Sequence, residues 1–174
     1  TALTTTGFGD ITLPGTPVLR YGDEIGMGDD LKLPERNCAR TPMQWSTEPH
    51  AGFTKSDKPI LPVISDGPYG YQHVNAAEQR RDPNSLLNWT ERIIRMRKEV
   101  PEVGWGDFEV LSTRDPAVLA IRYDWRNNSV LFVHNLDAIP REVEFSTGLR
   151  GTEARLLVNL LTEDHSRAGE DGKH

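Results

Sequence analysis

The chain has 174 residues, of which 36% are hydrophobic and 26% are charged, with a formal net charge of −6. This length provides for one ordinary domain or two small ones, and the composition excludes wholesale disorder. The acidic balance disfavours non-specific binding to nucleic acid or to anionic membranes, and it suits a neutral small molecule as partner.

Features that bear on compartment are few. Cys38 is the single cysteine, so no intrachain disulfide can form, and we expect a reducing cytoplasm. No apolar run approaches the roughly 18 residues of a membrane helix, so we expect no membrane partner. The chain begins at Thr1 without a basic segment typical of signal peptides, and we expect it to be processed, trimmed or a fragment.

The first twelve residues are rich in threonine and glycine. Residues 4–11, TTTGFGDI, look like the selectivity filter of a potassium channel, where backbone carbonyls replace the water around an ion. Such a filter needs four copies held between membrane helices, and this sequence predicts no membrane helix. We therefore interpret the segment as a polar terminus.

Residues 14–22 predict a short strand that is apolar on successive positions, as in a parallel sheet with both faces covered. Four carboxylates follow it, and two acids flanking a bond would suit glycosidic chemistry. However, adjacent residues on a strand point to opposite faces, so Asp23 and Glu24 would not converge on one bond. We expect the acids to cap or brace the strand end; they are Asp23, Glu24, Asp29 and Asp30.

A long irregular segment spans residues 23–82, and loops of this length in compact proteins are usually functional or disordered. Its aromatic and apolar residues favour a pinned loop; they are Trp45, Phe53, Val63, Ile64, Tyr69 and Tyr71. Within it, residues 35–45, ERNCARTPMQW, place several hydrogen-bonding side chains next to a tryptophan, a composition that suits carbohydrate. A loop packed by its own residues explains the composition equally well. The candidate substrate-binding residues are Arg36, Asn37, Arg40 and Gln44.

Other site patterns are missing from the sequence. There is no calcium-binding loop, no His/Cys cluster, no H-E-x-x-H and no G-x-S-x-G. We therefore expect no metal, no cofactor and no catalytic triad.

The clearest predicted helix lies at residues 82–100, DPNSLLNWTERIIRMRKEV. Asp82 or Ser85 is its predicted N-cap, apolar residues follow at spacings of three and four, and Pro101 ends it. After residue 105 the period changes to two, and five short segments separated by turns predict an antiparallel sheet or sandwich. The segments are FEVL, AVLAIRYDW, SVLFVHNL, REVEFS and RLLVNLL.

Together these segments resemble the α-amylase superfamily, glycoside hydrolase family 13. LPGTPVLRYGDEIGMGDDLKLPERNCARTPMQWSTEPHAGF is similar to the late part of that family. VNAAEQRRDPNSLLNWTERIIRMRKEVPEVGWGDFEVL and VLAIRYDWRNNSVLFVHNL are similar to its trehalose synthase branch. The resemblance covers about Leu13 to the C-terminus, whereas residues 1–12 do not match well.

The resemblance implies an α+β chain built from the end of a TIM (β/α)8 barrel and an antiparallel C-terminal domain. Residues 1–104 would be the barrel remnant, with the last strand at 16–21, a long loop and the last helix at 84–100. Residues 105–174 would be an all-β domain that looks truncated. A strand and helix without barrel neighbours expose apolar faces, so we expect a homo-oligomer, a swapped dimer or a non-barrel packing.

The resemblance also implies an activity, the interconversion of maltose and trehalose by retaining transglucosylation. The family's three catalytic carboxylates lie before the matching part, so none of them is expected in this chain. Arg36 and Arg40, with Asn37 and Gln44, would face the second sugar. Two alternatives stay open: an α-amylase or α-glucosidase-type hydrolase, and a non-catalytic module that binds small α-glucans.

Overall fold

The computed structural model describes residues 11–149. They divide into two compact units. The first is Pro17–Arg92, and the second combines Ile11–Thr16 with the described part of Ile93–His174. None of the described helices is long and apolar enough to cross a membrane.

The first unit is mostly irregular, as the sequence predicts for residues 23–82. It contains three short 3-10 helices, Asp23–Ile25, Glu35–Ala39 and Pro49–Gly52, and one short α-helix, α1, at Ala76–Gln79. Its small core joins Ile25, Met43 and Ala76. The loop is therefore folded around a few distant apolar residues rather than extended over the surface.

The predicted strand at residues 16–21 is not a strand in the structure. Residues 16–20 have no regular secondary structure, and the Val18 side chain is 83% exposed. A strand is stabilised by the hydrogen bonds of a neighbouring strand, and among the described residues none pairs with this segment.

The predicted helix is present as α2, Leu86–Glu99. Ser85 is its N-cap, since the Ser85 hydroxyl accepts a hydrogen bond of 3.2 Å from the Asn88 N–H. The buried side of the helix follows the predicted spacing through Ile93, Met96 and Val100. A short helix, α3, follows at Glu102–Trp105.

The second unit contains a three-stranded antiparallel sheet in the order β1-β2-β3. The strands are β1, Asp107–Leu111; β2, Val118–Trp125; and β3, Asn128–Asn135. They correspond to the first three predicted segments, and a two-residue turn joins β2 to β3. The fourth segment, REVEFS at 141–146, has no regular secondary structure and pairs with no described strand, and the fifth lies outside the described residues.

The sheet contacts residues 11–15 of its own unit through Tyr123 and His134. The Tyr123 hydroxyl donates a hydrogen bond of 2.7 Å to the carbonyl of Thr12, and His134 Nε2 lies 3.0 Å from the Thr12 hydroxyl. Burial lowers the pKa of His134 below its ordinary value, and burial raises the pKa of Tyr123. From α2, the Arg97 guanidinium donates to the carbonyl of Gly15 at 2.8 Å. Residues 11–15 are thus held by the sheet and by the end of α2.

Candidate functional site

The four carboxylates after residue 22 are engaged with their own turn. Asp23 accepts a hydrogen bond of 2.9 Å from the backbone N–H of Arg20, and Glu24 accepts one of 2.7 Å from that of Gly22. The same Arg20 lies 3.7 Å from Asp29 in an ion pair. Asp23 and Glu24 therefore brace this turn, as expected, although no strand ends there.

Asp30 is likewise hydrogen-bonded to nearby backbone. Its carboxylate accepts from the Lys32 N–H at 3.1 Å, and its own N–H donates 2.9 Å to the carbonyl of Cys38. In retaining glycosidases two carboxyl groups face one bond at a separation of about 5–5.5 Å. The acids of this segment instead bind nearby backbone and Arg20, which is a structural arrangement.

The segment of residues 35–45, hereafter the 35–45 loop, carries all four candidate substrate-binding residues. It begins with the 3-10 helix Glu35–Ala39 and continues without regular secondary structure. Two contacts hold its first half. The carbonyl of Cys38 accepts from Asp30, and the carbonyl of Thr41 accepts a hydrogen bond of 3.0 Å from the Tyr21 hydroxyl.

The structure separates these four residues by exposure. Arg36 and Arg40 are exposed, and Asn37 is half-buried. Among residues 11–149, no hydrogen bond or ion pair engages either guanidinium. Two cations on one pinned loop are therefore available to a ligand, with the amide of Asn37 beside them.

Gln44 differs, because its side chain is fully buried at 0% exposure. Its amide nitrogen donates to the carbonyl of Tyr69 at 3.0 Å and to the carbonyl of Val74 at 2.5 Å. Its amide oxygen is buried and has no hydrogen-bond partner among the described residues. Gln44 therefore ties the 35–45 loop to residues 69–74 of the first unit.

The end of this loop is fixed to α1. The N–H groups of Ala76 and Ala77 donate 2.9 Å hydrogen bonds to the carbonyls of Gln44 and Trp45 respectively. Asn75 caps α1, since its side chain accepts from the Glu78 N–H at 2.9 Å. The sequence carried this signal, because an Asn three residues before a Glu is typical of a helix start, although our sequence analysis did not use it.

Trp45 lies where this framework meets solvent, with 49% of its side chain exposed. Its N–H donates 2.9 Å to the carbonyl of Ala51. Ala51 belongs to the short helix Pro49–Gly52, which is unusual because His50 and Ala51 both adopt left-handed backbone angles, with φ of 54° and 57°. Non-glycine residues in this region are uncommon and cluster at functional sites. Sequence analysis named Trp45 only as a neighbour of the candidate residues. The structure adds that its backbone is hydrogen-bonded and that about half of the residue is exposed to solvent.

A second set of amides connects residues 22–27, the turn that carries Asp23 and Glu24 and is hereafter called the acidic turn, to α2. Gln79 donates 2.7 Å to the carbonyl of Ile25, and its side-chain oxygen accepts 3.1 Å from the Leu87 N–H. The Asn88 amide, in turn, donates 3.0 Å to the carbonyl of Gln79. Neutral amides rather than charges thus hold the loops of this unit in place. Within residues 11–149 no group of three or more metal-ligating side chains occurs.

Comparisons with known proteins fit this arrangement. The family model described as "Alpha amylase, catalytic domain" matches residues 6–106. Trehalose synthase of Pimelobacter sp. strain R48 is 43% identical over 157 residues, which cover 87% of this chain and 27% of that protein. Trehalose synthase of Thermus thermophilus is 41% identical over 156 residues, covering 88% of this chain and 16% of that protein.

Solved structures agree on the fold. An inactive double mutant of MutB in complex with isomaltulose matches with a TM-score of 0.69 at 27% identity, covering 80% of this chain and 30% of that chain. The chain thus spans less than a third of the length of these relatives. Because the family model covers residues 6–106 of 174, the chain belongs to the α-amylase family, and the expected similarity to its trehalose synthases is confirmed.

Proposed function

We propose that the chain is part of a trehalose-synthase-like enzyme that interconverts maltose and trehalose by retaining transglucosylation. The observation that carries the proposal is the 43% identity to a trehalose synthase over 157 residues. A solved relative in complex with the disaccharide isomaltulose supports a small carbohydrate as ligand. The whole activity requires more than the part of these relatives that this chain matches.

In such a reaction a carboxylate attacks the anomeric carbon while an acid protonates the departing oxygen. This breaks the glycosidic bond of maltose, forms a glucosyl-enzyme ester and releases glucose. The released glucose turns in the closed site and attacks the ester through its own anomeric hydroxyl, whose proton returns to the acid/base carboxylate. The product is trehalose, whereas water in place of glucose would give hydrolysis.

We assign the 35–45 loop to the second sugar in this scheme. Exposed Arg36 and Arg40 would donate hydrogen bonds to its hydroxyls, with Asn37 as a weaker partner. Buried Gln44 would act by holding the loop rather than by touching the sugar. The engaged state of the acids at 23–30 supports a nucleophile and an acid/base from elsewhere in the whole enzyme.

We further propose that residues 16–21 and α2 occupy the place of the last strand and helix of a TIM barrel, and that residues 16–21 form a strand only when neighbouring barrel strands pair with them. Val18 and Leu19 are 83% and 40% exposed, and neighbouring barrel strands would cover them. β1 to β3 would begin the antiparallel C-terminal domain. Without the barrel, the same apolar residues favour self-association, and the single cysteine favours a cytoplasmic setting.

A chimera tests the function. The segment of the Pimelobacter trehalose synthase that aligns with this chain is replaced by the chain, and products from maltose are measured. We expect trehalose from the chimera and none from the 174-residue chain alone. A folded chimera that releases only glucose would refute the proposal, and trehalose from the chain alone would refute its reliance on external carboxylates.

The loop assignment has its own test within the chimera. Arg40→Ala removes a charged donor, and hydrogen bonds to charged groups contribute about 1.5–3 kcal/mol, so KM for maltose rises roughly tenfold to hundredfold. Arg81→Ala is the matched control, since Arg81 is an exposed arginine of the same unit outside the loop. Equal KM values for the two variants would contradict the assignment.

A further inference from the structure

The tip of the β2–β3 hairpin borders a shallow pocket of about 280 Å³, hereafter the hairpin pocket. None of the residues of the 35–45 loop lines it. We propose that the hairpin pocket binds one unit of a neutral saccharide, through residues other than those of the 35–45 loop. The lining residues used below are Arg122, Asp124, Arg126, Asn127, Asn128 and Ser129.

Arg126 is fixed in orientation before a ligand arrives. Its guanidinium carbon lies 4.2 Å from the centre of the Trp125 ring, a cation–π distance. A cation–π contact at an exposed site contributes about 0.5–1 kcal/mol, which favours guanidinium positions close to the ring. Because the group is already ordered, a ligand that hydrogen-bonds to it loses less conformational entropy.

Asp124 supplies a fixed acceptor in the same pocket. Its carboxylate accepts from Arg122 Nε at 2.8 Å and from the Ser129 hydroxyl at 2.6 Å. Arg122 also pairs with Glu109 at 2.8 Å. The Arg122 guanidinium is therefore occupied by protein carboxylates, which leaves Arg126 as the pocket cation without an ion pair to the described residues.

Asn127 and Asn128 are exposed, and no hydrogen bond of their side chains to residues 11–149 is found. Each amide offers donors and an acceptor together. A sugar hydroxyl also donates and accepts, so neighbouring hydroxyls of one ring match this set of amides, guanidinium and carboxylate. Inorganic phosphate, by contrast, is an anion at neutral pH with only one or two hydroxyl donors, so it matches the acceptors of the pocket less well than neighbouring sugar hydroxyls do.

Charge and size narrow the ligand further. Two arginines, Arg122 and Arg126, face the carboxylates Asp124 and Glu109. A third carboxylate, Asp107, lies opposite Asp124 on β1, so the surroundings of the pocket have no net positive charge. A neutral ligand is favoured over an anion, because an anion would meet the carboxylates as well as the guanidinium. The volume lies just below the roughly 300–1,000 Å³ of ordinary ligand pockets, which suits a single ring at the end of a longer glucan.

The test is a titration of the full 174-residue chain, labelled with ¹⁵N, with maltose and in a separate arm with inorganic phosphate. We expect saturable shifts at the amides of residues 122–129 with maltose and none with phosphate. Arg126→Gly should weaken maltose binding at least tenfold. Glycine tolerates the φ of 56° at this position, so the turn is preserved.

Arg114→Gly is the matched control, because Arg114 is also an exposed arginine with a positive φ, 61°, in another turn of the same unit. It should leave the maltose-induced shifts at residues 122–129, and the affinity fitted from them, unchanged. Unmoved hairpin amides, equal affinity of Arg126→Gly and the original chain, or tighter binding of phosphate than of maltose would each overturn the proposal. Failure here leaves the trehalose synthase proposal intact, since the chimera tests that one separately.

Discussion

Replacing Gln44 by leucine tests whether a buried amide holds the 35–45 loop. Leucine fills a similar volume with an apolar side chain, and it lacks the amide nitrogen that donates to the carbonyls of Tyr69 and Val74. No other hydrogen bond to these two carbonyls is found among residues 11–149.

The magnitude follows from these contacts. Each lost hydrogen bond contributes about 0.5–1.5 kcal/mol net, so two give about 2 kcal/mol. A carbonyl left buried without a donor adds to the cost, and removal of the unpartnered Gln44 oxygen offsets part of it. We therefore expect local destabilisation of about 2 kcal/mol, which is roughly 30-fold in an equilibrium constant.

Native-state hydrogen exchange measures this locally. The amides of Ala76 and Ala77 donate to the carbonyls of Gln44 and Trp45, so their protection reports opening of this framework. We expect protection at both amides to fall roughly 30-fold in Gln44→Leu. Gln72→Leu is the control, because exposed Gln72 donates to the carbonyl of Thr47 at a long 3.4 Å. If Gln44→Leu changes protection no more than Gln72→Leu does, the clamp interpretation fails.

Three further changes have defined outcomes. Burial lowers the pKa of His134 in the folded chain, so below the ordinary pKa of 6.5 the unfolded chain binds a proton more readily and stability should fall. The urea midpoint should therefore be lower at pH 5.5 than at pH 8. This difference between the two midpoints should shrink in His134→Gln and persist in His73→Gln. Ser85→Ala removes the cap of α2 and should lower the free energy of unfolding by about 1 kcal/mol, measured by urea denaturation; no change would contradict the cap. In the chimera, Asp23→Asn should retain kcat for maltose within a few-fold, and a loss of several orders of magnitude would make Asp23 catalytic instead of structural.

Local signals predicted local structure well. The spacing of apolar residues, Ser85 before them and Pro101 after them placed α2 within four residues of its start and one residue of its end. Alternation and turn residues placed β1 to β3. In each case the deciding interactions lie within the element or between sequence neighbours, which is the information that a pattern contains.

Prediction was weaker where partners are distant. Apolar residues at 16–21 predicted a strand, but a strand depends on a neighbour that the pattern does not name. Of the aromatic and apolar residues expected to pin the loop, Ile64 is buried, whereas Trp45 and Tyr69 are about half exposed, at 49% and 45%. Gln44 and Gln79 also hold the loop, through carbonyls 25 to 54 residues away. Amide side chains carry no periodic signal, so the sequence left Gln44 open between a sugar ligand and a residue that packs the loop.

The acidic turn has a consequence for the order of folding. Its hydrogen bonds join residues only two to five positions apart, such as Met27 N–H to the carbonyl of Gly22 at 2.9 Å. Closing so short a loop loses little chain entropy, whereas the bond from Gln79 to Ile25 must bring together residues 54 positions apart. The turn can therefore form before the amides engage it. Pulse-labelled exchange should protect the Gly26 and Met27 amides before that of Ala76, and the reverse order would exclude this sequence of events.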